Sequence, residues 1–210
     1  MNADPGVVRP QAGGSGARRP YDARVDEPGP FIQTLSGRRV NPLDAAPEDI
    51  DPADIARALS NLCRFGGHSK AFYSVAQHSA IVCDLLEERG ATPDELMAAL
   101  LHDAAEAYLG DLPHPLKHRS ELGAAFWVAE KRLEAVIVER FTLPEAAARI
   151  KPLDKALLAT ERRIFSEVTW HWPELDGAEE LAIEIEPWDA ERALEEFSAR
   201  FERIDALRRA

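Results

Sequence analysis

The sequence predicts an all-α domain, a bundle of six or seven helices with a small β-hairpin at its N-terminal side. Three observations carry this reading. From residue 51 onward apolar residues recur at helical spacing, as at Leu96, Ala99, Leu100 and Ala104. Helix starts are explicit: Asp51-Pro52 and Thr92-Pro93 each join a capping side chain to a proline at the first helical position. No internal repeat is present, so the helices must bury their apolar faces against one another in a bundle.

The elements follow in order. Residues 1–29 are rich in Gly, Pro and Arg, as in Gly13-Gly14-Ser15-Gly16 and Arg18-Arg19-Pro20. With few apolar side chains to offset ordering entropy, they read as a flexible tail before a domain over 30–210. Two short extended runs around Ser36-Gly37 predict a hairpin over 31–40. Asp51-Pro52 opens a helix to about Leu62, and Ser74 with Gln77 forms a capping box for a helix to about Glu88. Thr92 and Glu95 form a second box, for a helix that should stop near Gly110. Pro113 and Pro115 bracket an irregular turn, and Ser120 starts a long helix to about Phe141. Pro144 begins another helical stretch. Because proline disfavours helical geometry in the residue before it, a break is expected at Lys151-Pro152, with a fresh helix to about Val168. A loop carrying Asp176-Gly177, a short apolar run from Leu181 to Ile185 and a final helix from about Trp188 to Arg208 complete the chain.

Composition narrows the function. The 210 residues are 45% hydrophobic, enough for a core, and 25 Lys+Arg against 37 Asp+Glu give a net charge of -12. Phosphate polymers repel so acidic a chain, which argues against generic nucleic-acid binding but not against a small phosphorylated ligand in a local basic pocket. Cys63 and Cys83 lie in apolar segments without a CxxC partner and read as buried thiols of a reducing compartment. No run of 18 apolar residues and no basic-then-apolar leader is present, so a soluble cytoplasmic protein without a membrane partner is expected.

The chemistry concentrates in Leu100-Leu101-His102-Asp103-Ala104-Ala105-Glu106. A carboxylate on an apolar helix is costly to bury unless it is paired, hydrogen-bonded or bound to metal. His78, in Val75-Ala-Gln-His78-Ser, and Asp154, in Leu153-Asp154-Lys155-Ala156, interrupt apolar stretches in the same way. Two imidazoles and two carboxylates from three helices suit one divalent ion such as Mn²⁺, Co²⁺, Fe²⁺, Ni²⁺ or Zn²⁺. Spacing alone leaves a buried His–Asp hydrogen-bonded cluster equally open.

His78, His102-Asp103 and Asp154 together resemble the H…HD…D signature of HD-domain metal-dependent phosphohydrolases. Arg64-Phe65, Tyr73-Ser-Val-Ala-Gln-His78-Ser and His102-Asp103-Ala-Ala-Glu106, followed by Gly110-Asp111-Leu-Pro-His-Pro-Leu-Lys117, resemble the 5'-deoxynucleotidase branch of YfbR type. The stretch from Asp54 to His68 is more similar still to a neighbouring branch, the YfdR-like proteins. The likeness covers about 31–208. It implies a single metal held by His78, His102, Asp103 and Asp154. It also implies that Glu106 orients or deprotonates the attacking water. Asp111 is assigned to the site as a proton donor to the leaving oxygen or a ribose contact, with a simple turn residue as the alternative. Arg64 and Lys117 are the phosphate-binding cations. Phe65 packs on sugar or base, where the resembling enzymes tend to carry Trp, or serves as a core anchor, and His68 lies near the same mouth. The expected substrate is a 5'-deoxynucleoside monophosphate. The alternatives are a dNTP triphosphohydrolase releasing tripolyphosphate and a non-catalytic nucleotide-binding HD protein. Relatives of this kind often pair through helices, so a homodimer is expected. Trp170, Trp172 and the stripe Phe126, Val128, Leu133, Val136 and Ile137 read as core or subunit contact, and His118 and His171 as non-functional.

Overall fold

A computed structural model describes residues 29–210; the expected tail, Gly29 apart, lies outside the described residues. The hairpin is present. Strand β1 (Ile32–Gln33) pairs antiparallel with β2 (Arg39–Val40), with Ile32 opposite Val40. Its turn is fixed to the bundle, because Ser36 donates from its backbone N–H (2.8 Å) and its hydroxyl (2.6 Å) to the buried Asp54 carboxylate. Gly37 supplies the turn with a positive φ of 82°.

Among the described residues there are eight α-helices rather than six or seven: α1 (Pro52–Asn61), α2 (Val75–Glu87), α3 (Pro93–Leu100), α4 (Glu106–Leu109), α5 (His114–Arg119), α6 (Glu121–Phe141), α7 (Ala147–Phe165) and α8 (Ala190–Arg209). The caps fall where the sequence puts them. Asp51 accepts from the N–H of Ala53, Ser74 from Gln77, Thr92 from Glu95 and Ser120 from Gly123. Thr92 and Glu95 close the full reciprocal box. Gln77 does not turn back to its own cap. Its amide instead donates to the Glu186 carbonyl (2.7 Å) and accepts from the N–H of Trp188 (2.9 Å), clamping the extended segment before α8 onto α2.

Helix α2 lies at the centre, against α1, α3, α7 and α8. It is buried nearly all round, which is why a histidine on it is a core histidine. Helix α8 straps the bundle along one side. Arg200 grips Asp84 through two nitrogens (2.9 and 2.8 Å), Arg203 grips Glu87, and Arg208 reaches Asp94. No helix among the described residues is long and apolar enough to cross a membrane.

Three expectations are corrected. The helix opening at Thr92 does not run to Gly110. It ends at Leu100, tight turns follow over 101–105, and α4 starts at Glu106. The cause is local: the His102 ring nitrogen Nδ1 takes the Ala99 carbonyl at 2.8 Å, the acceptor that an unbroken helix would give to the N–H of residue 103. The stretch after Pro113 is the short helix α5 rather than an irregular turn. It lies close on the start of α6, where Gly123 leaves room; an added Cβ would meet the carbonyl oxygen of Lys117 at 2.0 Å. Finally, α7 passes through Pro152 unbroken. An interior proline costs about 3 kcal/mol. Burying Leu153, Leu157 and Phe165 on the same helix, at about 1.5–3 kcal/mol each, outweighs it.

Candidate metal centre

His78 comes from the core face of α2, His102 and Asp103 from the turns after α3, and Asp154 from α7. One donor atom each from His78, His102 and Asp154 lies within 4.8 Å of the others. His78 Nε2 is 3.1 Å from Asp154 Oδ1. Asp103 Oδ2 stands 3.3 Å from His102 Nε2 and 3.7 Å from His78 Nε2, and shares itself with Arg64 at 3.6 Å. The four residues expected to act together do meet. His102 and Asp103 reach the cluster from the turns between α3 and α4 rather than from a continuous helix.

The outward ring nitrogens are fixed. His102 Nδ1 faces a carbonyl, which only accepts, so it carries the hydrogen. His78 Nδ1 lies 2.6 Å from the fully buried Glu161 carboxylate and carries the hydrogen for the same reason. Both Nε2 atoms therefore point inward. They are buried and make no hydrogen bond, although carboxylate oxygens stand beside them. Ring nitrogens this close to carboxylates call for positive charge between them, a proton or a metal ion. The carboxylate–His78 pair is the arrangement that orients metal-ligating imidazoles, and the mixed imidazole and carboxylate donors fit a divalent first-row metal.

The electrostatics agree. Burial and Arg64 pull His78 down, but Glu161 and Asp154 outweigh them, and without a metal it is pushed up to about 9. Burial opposes the charge of Asp103, yet His102, His78 and Arg64 hold its carboxyl well below the usual carboxylate range. The site stabilises positive charge at its centre.

Glu161 is the residue that sequence reasoning misses. It accepts from Tyr73 Oη (2.7 Å) and pairs with Arg64 (3.2 Å) as well as holding His78. The available signal was its place seven residues after Asp154, on the same stripe of α7; Arg162-Arg163 beside it made it look like part of a solvated charge run.

Arg64 opens a strained turn. Phe65 (φ 58°) and Gly66 (φ 59°) are both left-handed, a costly conformation for an aromatic residue. The loop is closed at its base by Arg64 N–H to the Tyr73 carbonyl (2.9 Å) and Val75 N–H to the Leu62 carbonyl (2.9 Å). The turn drives Arg64 inward, where it is buried.

A cavity of about 460 Å³ opens over the centre, with Asp103 and Asp154 in its wall. Arg64, Phe65, His68, Glu106, Asp111 and Lys117 all line it. Lys117 is bonded to the buried Glu130 at 2.6 Å. Glu106 Oε2 is buried without a hydrogen-bond partner; burial, then Asp103 and Asp111, raise its carboxyl well above the usual range. Burial raises Asp111 as well. His114 and His118 stand in the same wall, so His118 borders the candidate site, whereas His171 lies at the surface beside Asp176. Trp170 and Trp172 are not core: they too line this cavity, and Trp170 is 61% exposed. Of the α6 stripe, Leu133 and Ile137 are buried and Val128 is exposed.

No family model matches the chain. Over 183 residues it is 38% identical to the uncharacterized protein YfdR of Escherichia coli (strain K12), spanning 85% of this chain and 98% of that protein. The chain belongs to the YfdR family. It is also 38% identical over 131 residues to the uncharacterized protein RCAP_rcc00048 of Rhodobacter capsulatus, spanning 60% of this chain and 65% of that protein. The aligned part of this chain spans α2 to α7, because 85% of the chain cannot be covered without them.

Proposed function

We propose that this YfdR-family protein is a metal-dependent phosphohydrolase of the HD-domain kind, releasing orthophosphate from 5'-deoxynucleoside monophosphates. The observation that carries the reading is the pair of buried, unbonded Nε2 atoms of His78 and His102 converging on Asp154 beside a cavity that also holds Glu106. His78, His102, Asp154 and the adjacent Asp103 would hold one divalent ion, which supplies charge to polarise a phosphoryl oxygen and to acidify water.

The remaining work falls to side chains of this chain. Arg64 and Lys117 add positive charge to the cavity wall for the phosphate. Glu106, with a carboxylate oxygen that has no hydrogen-bond partner, takes the proton from the attacking water once the ion's charge holds it ionised. As the new O–P bond forms and the ester P–O bond breaks, Asp111, kept protonated more readily by burial, returns a proton to the leaving sugar oxygen. Glu161 acts through His78 as a positioning residue. The unbridged Cys63 and Cys83 support a cytoplasmic setting. Exposed Leu122, Trp127 and Val128 on α6 support pairing of two copies.

The test is incubation of the purified protein with Mn²⁺ or Co²⁺ and a panel of deoxynucleoside monophosphates. Orthophosphate release is expected; none from any of them rejects the proposal. Tripolyphosphate from dATP, with no orthophosphate from dAMP, replaces it with the triphosphohydrolase reading.

A further inference from the structure

We infer that the ring of Trp172, with Trp170 tilted beside it, forms the face on which the nucleobase of the substrate stacks, an inference that rests on the nucleotide reading above. The two rings lie 5.8 Å apart, and Trp172 lies 6.5 Å from Phe65, so three aromatic rings follow one another along the wall of the cavity that holds Asp103 and Asp154. Trp170 is 61% exposed, which excludes a core role for it.

The segment after α7 is held in place rather than left loose. Arg162 donates to the Trp170 carbonyl and sets its guanidinium 4.6 Å from the centre of the Trp172 ring. One side chain thus fixes the backbone of one tryptophan and backs the other. The half-buried Trp172 ring, backed by Arg162, offers a π face toward the cavity for offset or edge-to-face contact with a flat ring.

The same cavity carries the opposite chemistry elsewhere: the proposed metal centre lies at its floor, with Arg64 and the Glu130-paired Lys117 in the wall beside it. A ligand that satisfies both ends has an aromatic ring at one end and an anion at the other. A nucleoside monophosphate has that form; a bare sugar phosphate fills only the anionic end. Every base has a π face, so the platform tolerates all four and favours the larger purines.

The experiment is calorimetric titration of the Glu106→Gln protein, loaded with Mn²⁺, using dAMP, dCMP and deoxyribose 5-phosphate. Stacking of one base is worth about 5- to 150-fold in affinity, the equivalent of about 1–3 kcal/mol. The expected result is that dAMP binds tighter than deoxyribose 5-phosphate by a factor in that range, with dCMP between them. Trp172→Ala removes the difference, and Trp172→Phe restores part of it. Equal affinity for dAMP and deoxyribose 5-phosphate overturns the inference, as does no measurable dAMP binding. So does a Trp172→Ala protein that weakens both ligands by the same factor, since that marks a merely structural loop residue. The two readings fail separately. Base-dependent binding without orthophosphate release by the wild type removes the hydrolase and leaves the platform. Equal kcat/KM for dAMP and deoxyribose 5-phosphate removes the platform and leaves the hydrolase.

Discussion

Replacing Glu161 by glutamine probes the proposed metal centre without touching any of the four side chains proposed to hold the ion. Glu161 is fully buried and serves three groups: His78 Nδ1 at 2.6 Å, Tyr73 Oη at 2.7 Å and Arg64 at 3.2 Å. Glutamine keeps the shape, but it removes the charge and turns one accepting oxygen into an NH₂ group. At least one of the three donors then faces another donor, and Arg64 keeps only Asp103, at 3.6 Å. Removing one partner of a buried ion pair costs about 3–5 kcal/mol. Losing the group that orients a ligating imidazole lowers metal affinity about 10- to 100-fold, or about 1.4–2.7 kcal/mol. The two effects are read separately, the first from the urea midpoint of chelated protein and the second from calorimetric titration with Mn²⁺. Glu161→Asp, which keeps the charge, should recover part of both. A Glu161→Gln protein with wild-type Mn²⁺ affinity and a wild-type midpoint would refute the reasoning.

Further outcomes follow from the same geometry. Glu106→Gln should lower kcat about 10²- to 10⁴-fold while Mn²⁺ still binds, because Glu106 is outside the donor group; phosphate assays and calorimetry on one sample check this. Chelation of metal-loaded protein should lower Tm by about 5–11 °C, taking about 2.7 kcal/mol at a hundredfold excess over Kd and about 2–4 °C per kcal/mol for a chain of this size. An unmoved transition would count against a metal shared by three parts of the fold. Asp54 is held below its ordinary pKa: burial opposes its charge, but the two Ser36 bonds outweigh it. A depressed folded pKa stabilises above the unfolded value, about 3.9, and that contribution is lost as pH falls through the folded value. The urea midpoint of Asp54→Asn should therefore lie below wild type at pH 7, by about 1 kcal/mol, and the gap should narrow below pH 4.

Much of this was written locally in the sequence. Asp51, Thr92 and Ser120 cap helices because a short polar side chain beside a helix start can reach only its own first turn. His78, His102, Asp103 and Asp154 were legible because each breaks an apolar pattern. What was not legible depends on partners distant in sequence. Gln77 abandons its cap for a backbone more than a hundred residues away. Pro152 is tolerated because of what the rest of α7 buries. Trp170 and Trp172 read as core or subunit contact, and only the folded position of their loop turns them to the cavity. The break at 101–105 arises from a competition between a side chain and the backbone for one carbonyl, which periodicity does not register.

Helix α7 supplies both Asp154, which faces His78 Nε2, and Glu161, which holds the same imidazole from behind through Nδ1. Seven residues make two turns less about 20°, so both side chains share one stripe of a single rod. The rod acts as a ruler: its pitch fixes the spacing between ligand and backstop. A one-residue insertion between them would swing one away by about 100° and dismantle both functions at once. No loop motion can move one without the other, so both contacts to His78 are set by one rigid element.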